Sequence, residues 1–228
     1  MLASLALPGQ CAVCHGWGRG RLCRACIERF GTAAPRCARC ALRLAREQAP
    51  CAACLRATPP FDAAIAAIDY RYPWDRLLAR FKFAAALDLA PALAARLDAA
   101  LERAGEAPPD LLLPVPLSRA RAQQRGFNQA WEIARRLRTR GASIELLLRV
   151  KDTPHQLALP CEQREANVRD AFAVEPRHAA RLRGADVAIV DDVMTTGATA
   201  AEVARTLLRA GARRVRVWVV ARTPAPGA

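Results

Sequence analysis

Residues 187 to 199, VAIVDDVMTTGAT, constrain the fold more than any other stretch of the chain. Four apolar residues, Val187 to Val190, make a buried strand. Two carboxylates, Asp191 and Asp192, fall at its carboxyl end, and Thr195-Thr196-Gly197-Ala198-Thr199 then turns directly into the helical pattern ATAAEVARTLLRAG. Strand, tight turn and helix in that order belong to an open α/β sheet, where ligands bind at the carboxyl ends of the strands. Backbone N–H groups of the turn and helix start, with the hydroxyls of Thr195, Thr196 and Thr199, suit a phosphate dianion. Gly197 permits positive φ or close approach, and Ala198 keeps the entrance small. The acids would repel that phosphate unless they face something electropositive. Ribose hydroxyls and a hydrated Mg²⁺ both meet that need, so the pattern specifies a sugar with a phosphate on its far end.

The rest of the second half supports the same class. Apolar runs at 111 to 116 (LLLPVP), 144 to 150 (IELLLRV), 187 to 190 and 215 to 220 (VRVWVV) alternate with helical segments at 127 to 140 and 198 to 211. Such alternation favours a parallel sheet with crossover helices. Ahead of it, FDAAIAAIDYRY from Phe61 reads as a strand pair or hairpin, followed by helices around Trp74 to Phe83 and from Leu87 to Ala104, stopped by Gly105 and Pro108-Pro109. Thr58-Pro59-Pro60 marks a boundary, because consecutive prolines favour an extended connector. The expected domains are therefore 1 to 58 and 59 to 228.

Composition excludes other classes. With 53% apolar and 25% charged residues in 228, the chain is not disordered as a whole. Asp88, Pro91, Arg96 and Asp98 interrupt the longest alanine-rich run, so no membrane span is expected. The opening MLASLALPGQ lacks the basic start of a signal peptide, and a reducing, cytoplasmic setting is the expectation. Neither Lys82 nor Lys151, the only lysines, follows a glycine, which excludes a Walker A loop.

Eight of the nine cysteines form four C-x-x-C pairs: Cys11/Cys14, Cys23/Cys26, Cys37/Cys40 and Cys51/Cys54. A C-x-x-C knuckle supplies two adjacent corners of a tetrahedron, so eight thiolates suit two all-cysteine zinc sites. A segment this short buries little core and would draw most of its folding free energy from the metals. Consecutive pairing and interleaved pairing each complete two sites; consecutive ribbons are favoured, because the intervening hairpins are long enough to turn back. His15 reads as an exposed knuckle residue and Cys161 as an ordinary free thiol. Residues 1 to 60 carry nine arginines and two acids within a net +14 chain. Thiolates on two divalent ions would reduce this segment to about +3, which weakens the case for a nucleic-acid arm.

The hydrophobic strand, acid pair and T-T-G-x-T turn resemble the 5-phosphoribosyl 1-diphosphate (PRPP) signature of type I phosphoribosyltransferases. PVPLSRARAQQRGFNQA (114 to 130), KDTPHQLALPCEQREANVRDAF (151 to 172) and the preceding cysteine pairs are similar to the ComF family, associated with competence and use of imported DNA. The resemblance covers almost the entire chain. It implies a type I phosphoribosyltransferase-like parallel sheet with helices on both faces, behind a double zinc ribbon. It also implies a diphosphate loop containing Arg119, Arg121 and Arg125, whose guanidiniums suit such an anion. A mobile hood would contain Gln156, Arg164 and Asn167, together with Thr153 and Arg169. After Phe81-Lys82-Phe83, where relatives often have a glycine, this chain has Ala84 and Ala85, which leaves the role of Lys82 open.

The implied activity is Mg²⁺-dependent phosphoribosyl transfer, with Asp191 and Asp192 holding the ribose hydroxyls of PRPP while the arginine loop and Mg²⁺ draw off diphosphate. Catalysis would be mostly positioning and electrostatics. No residue identifies the acceptor base. The alternative is a non-catalytic PRPP or nucleotide sensor that engages single-stranded DNA or competence partners through its zinc ribbons. Residues 1 to 60 offer only Trp17 and Phe30 as stacking platforms. A competence helicase as partner is implied by the resemblance alone.

Overall fold

The computed structural model describes residues 9–45, 50–139, 141–151 and 168–225. Its elements run β1 (Gly9–Gln10), β2 (Trp17–Gly18), α1 (Arg24–Phe30), α2 (Ala52–Arg56), β3 (Ala63–Asp69), α3 (Trp74–Phe83), α4 (Ala90–Arg103) and β4 (Leu111–Pro114). Then come α5 (Arg119–Arg125), α6 (Gln129–Ala134), β5 (Leu147–Arg149), β6 (Phe172–Val174), β7 (Asp186–Met194), α7 (Ala198–Arg209) and β8 (Arg214–Arg222). Four strands form a parallel sheet in the order β3-β8-β7-β4.

Both faces of that sheet are covered, which is why its strands read as continuous apolar runs. On one face Val187, Ile189, Val215 and Val217 pack with Val203, Ala204 and Leu207 of α7. On the other, Ala188, Val190, Trp218 and Val220 pack against Leu77, Leu78 and Phe81 of α3, Leu93 and Leu97 of α4, and Ile133 of α6. Fully burying one such leucine contributes about 1.5–3 kcal/mol. In α3 the buried positions Trp74, Leu77, Leu78 and Phe81 follow helical spacing, and Lys82, four residues after Leu78, shares that inward face.

Three expectations are corrected. FDAAIAAIDYRY is one strand, not a hairpin: Arg71 N–H donates back to Asp69 O (2.9 Å), and the chain turns into α3. IELLLRV stays out of the parallel sheet; Leu147–Arg149 pairs antiparallel with Phe172–Val174. The helix expected over 127 to 140 ends at Ala134.

The cysteine-bearing segment lies against the sheet at two places. Near the first cysteine group, Trp74 Nε1 donates to Phe30 O (2.8 Å), and Arg21 pairs with Asp88 (2.6 Å). Beside the second, Ala64 N–H of edge strand β3 donates to Ala38 O (3.2 Å). Arg36 and Arg43 reach the buried Asp69 at 2.8 and 2.6 Å. The ribbon thus protects an edge that would otherwise expose unpaired backbone groups. No helix among the described residues is long and apolar enough to cross a membrane.

Candidate active site

The carboxyl ends of β4 and β7, helix α5, the start of α7 and the end of α3 surround a cavity of about 170 Å³. Asp191 and Asp192 line it from β7; Thr195, Gly197, Ala198 and Thr199 line it from the turn. Gly197 has φ 89°, and a Cβ there would meet only Met194 Sδ at 3.7 Å, so conformation rather than crowding calls for glycine. Thr196 is exposed and outside the lining; its Oγ1 accepts from Ala198 N–H (3.3 Å), holding the first turn of α7.

The acids are inequivalent. Asp192 is buried, and its Oδ2 lies 2.7 Å from Lys82 Nζ. Asp191 is half-buried, and its Oδ1 accepts from Asp192 N–H (2.8 Å). Burial above all, then repulsion from Asp192, pushes the Asp191 carboxyl up to about 8, against the opposing pull of Lys82. This is a carboxyl pair short of positive charge. The donor set fits a divalent cation or a hydroxyl-rich sugar.

Opposite stands the arginine segment, which is a helix rather than an irregular loop. Ser118 caps it by accepting from Arg121 N–H (3.5 Å), and Gly126, at φ 73°, ends it. Arg121 and Arg125 line the cavity, while Arg119 is exposed and outside the lining. Arg125 donates to Gln129 Oε1 (2.8 Å), and its guanidinium lies 5.2 Å from the Phe83 ring centre. Asn128 caps α6 and donates from Nδ2 to Val115 O (3.1 Å), which ties that helix to the end of β4. The hood residues Thr153, Gln156, Arg164 and Asn167, and Cys161, lie outside the described residues.

Lys82, Phe83 and Arg149 also line the cavity, and sequence reasoning had given none of them a role. For Lys82 a signal existed: 33 of the 35 basic residues are arginine, so a lysine within an apolar helix face stood apart. Ala85, where a glycine would be at ease, adopts φ 47°.

The cysteines form two tetrads, Cys11/Cys14/Cys23/Cys26 and Cys37/Cys40/Cys51/Cys54, with all sulfur atoms of a tetrad within 4.8 Å of one another. This is the consecutive arrangement. Cys23 N–H donates to Cys11 Sγ (3.4 Å), and Cys51 N–H to Cys37 Sγ (3.2 Å). Burial opposes ionisation of Cys11 and Cys37, but donation from neighbouring N–H groups outweighs it and lowers them to about 6 and about 7. Burial and neighbouring thiols push Cys26 up to about 12 and raise Cys54. Four thiolates therefore need a compensating cation, and either tetrad could hold zinc.

A phosphoribosyl transferase domain family matches residues 86–227. DNA utilization protein YhgH of Escherichia coli O6:H1 is 34% identical over 96% of this chain and 99% of its own. Competence protein F of Haemophilus influenzae is 31% identical over 93% of this chain and 96% of its own. The chain belongs to the ComF family. A solved structure of the allosteric regulatory enzyme of purine biosynthesis aligns with 57% of this ComF chain and 25% of its own, at 21% identity and a TM-score of 0.36, too low to carry an argument. The ComF family assignment and the doubly covered parallel sheet together make this a type I phosphoribosyltransferase-like fold, whose cysteine tetrads are consistent with a double zinc ribbon.

Proposed function

We propose that this protein is a cytoplasmic, PRPP-binding phosphoribosyltransferase-like member of the ComF family. In this reading residues 1 to 58 are a double zinc ribbon and 59 to 228 the phosphoribosyltransferase domain. One observation carries it: an acid pair, a threonine-glycine turn at a helix start, and two arginines from a separate helix converge on one cavity. The turn amides and the Thr195 and Thr199 hydroxyls hold the 5-phosphate. Asp191 and Asp192 face the ribose hydroxyls, and Arg121 and Arg125 receive the diphosphate. Mg²⁺, when bound, would neutralise charge on the departing diphosphate; Asp191 is the side chain available to it or to its water shell. Lys82, 2.7 Å from Asp192 Oδ2, holds that side chain in position. Gln156, Arg164 and Asn167 complete the proposal as a hood that excludes water from the reactive sugar.

A second reading, binding without turnover, is favoured by the commitment of Asp192 to Lys82 at 2.7 Å, which leaves one carboxyl less open to ligand. In that case the domain senses PRPP or a nucleotide while the ribbons engage single-stranded DNA or a competence helicase, in keeping with the names of the relatives. The exposed Trp17 is a stacking surface for such a strand.

Calorimetry with PRPP and saturating Mg²⁺ tests the shared core of both readings. Binding is expected for the wild type and none for Asp191→Asn with Asp192→Asn. No wild-type binding, or unchanged binding by the double variant, rejects it. Diphosphate release in the presence of candidate bases then separates transferase from sensor. DNA contact predicts affinity that falls steeply with salt.

A further inference from the structure

Arg222 is buried at the last position of β8, in register with Met194 of β7 on one side and Asp69 of β3 on the other. Its Nε donates to Cys40 O (2.9 Å). Its Nη1 donates to Met194 O (3.2 Å), Thr223 O (2.9 Å) and Thr195 O. Cys40 is a member of the second tetrad, and Thr195 opens the proposed phosphate turn. We propose that Arg222 is a positioning residue through which metal occupancy of the second cysteine tetrad sets the geometry of the Thr195–Thr199 turn. The inference rests on the PRPP reading only for the turn's purpose; the mechanical coupling stands apart from it.

A guanidinium is planar and presents its donors in a fixed fork, so carbonyls held by one fork are fixed relative to one another. Moving the Cys40 carbonyl must therefore either break its bond to Nε or rotate the fork away from Met194 O and Thr195 O. The Cys40 knuckle is built from Cys37 N–H donating to Leu42 O (2.9 Å), Ala41 N–H donating to Cys37 O (2.8 Å) and the shared sulfur site. Loss of the cation leaves four crowded sulfurs without compensation and relaxes that knuckle. The same ribbon is clamped to the same sheet end by Arg36 and Arg43 on Asp69, so its displacement acts at the turn rather than dissipating elsewhere. The first tetrad is the internal control. Its neighbours anchor to α3 and the segment before α4 through Phe30 with Trp74 and Arg21 with Asp88, and none of these touches the turn.

Hydrogen exchange of the full-length, zinc-loaded protein reads this without any ligand. Exchange of the 195–199 amides should rise about tenfold or more in Arg222→Gln, since bonds from a charged donor are lost. Cys37→Ser should reproduce that rise, and Cys11→Ser should leave these amides unchanged. Arg222→Lys, which keeps the charge but not the fork, should fall between wild type and Arg222→Gln. Equal protection of 195–199 in Arg222→Gln and wild type overturns the proposal, as does an equal response to Cys11→Ser and Cys37→Ser. If Arg222→Gln does not fold, Arg222→Lys against the two cysteine variants decides the same question. Titration with inorganic phosphate separates the two ideas: coupled exchange without phosphate binding rejects the PRPP reading alone.

Discussion

Replacing Lys82 with methionine removes the ammonium beside Asp192 while keeping an unbranched apolar stem. The two charged atoms are 2.7 Å apart, with side-chain exposures of 19% and 2%. At an effective dielectric of 20, unit charges at that distance attract by about 6 kcal/mol. That figure is a ceiling, because both ions lost hydration on burial. Deleting one partner of a buried pair costs about 3–5 kcal/mol, as the remaining charge stays uncompensated. Asp192 Oδ2 has no aligned hydrogen-bond donor among the described residues, so no neighbour takes over. Urea unfolding of Lys82→Met should show a loss of about 3–5 kcal/mol, and Asp192→Asn in the same chain should recover most of it. Across the double-mutant cycle the coupling should be about 3 kcal/mol. A Lys82→Met protein within about 0.5 kcal/mol of wild type, or strict additivity of the two changes, would refute the claim that this lysine is the compensating charge.

Asp191 provides a pH test. Its folded-state value of about 8 lies above the ordinary 3.8, so the native state holds a proton that the unfolded chain gives up. Stability should therefore be fullest below the ordinary value and be lost as pH climbs through about 8; urea unfolding at pH 5 and 8 should show a fall that Asp191→Asn abolishes. Binding of Mg²⁺ with PRPP should release up to one proton near neutrality, read by calorimetry in buffers of different ionisation enthalpy. Two left-handed positions should respond oppositely. Gly197→Ala should lose about 1–2 kcal/mol in unfolding experiments, whereas Ala85→Gly, at φ 47°, should be neutral or gain up to about 1 kcal/mol. Metal analysis should find two zinc ions per chain, and chelation should free eight thiols to a colorimetric thiol reagent and expose the 9–57 segment to protease.

Local structure was most legible along β7 and α7, because strand, acids, turn and helix are contiguous and each residue type has a local reason to be there. Legibility fell wherever partners come from distant segments. FDAAIAAIDYRY reads as a hairpin because both halves are apolar, yet its partner is β8, more than a hundred residues later. The apolar run at 144 to 150 is as strand-like as the sheet strands, but Phe172–Val174 captures it in a separate antiparallel pair. Among Arg119, Arg121 and Arg125, spacing alone could not separate the cavity-lining pair from the exposed one, since that depends on how Ser118 and Gly126 orient α5.

The linear chain by itself determined the chemistry on offer: eight knuckle cysteines and five turn positions, 195 to 199, whose residue types suit tetrahedral thiolate coordination, left-handed backbone and anion binding at a helix start. Those are near-neighbour requirements, each satisfied within 18 residues. Only tertiary structure decided that Lys82 pairs with Asp192, that burial raises the Asp191 carboxyl, and that Arg222 bridges a cysteine knuckle to the Thr195–Thr199 turn. Burial and ion pairing depend on what the whole fold brings within about 3 Å, and no local pattern contains that distance.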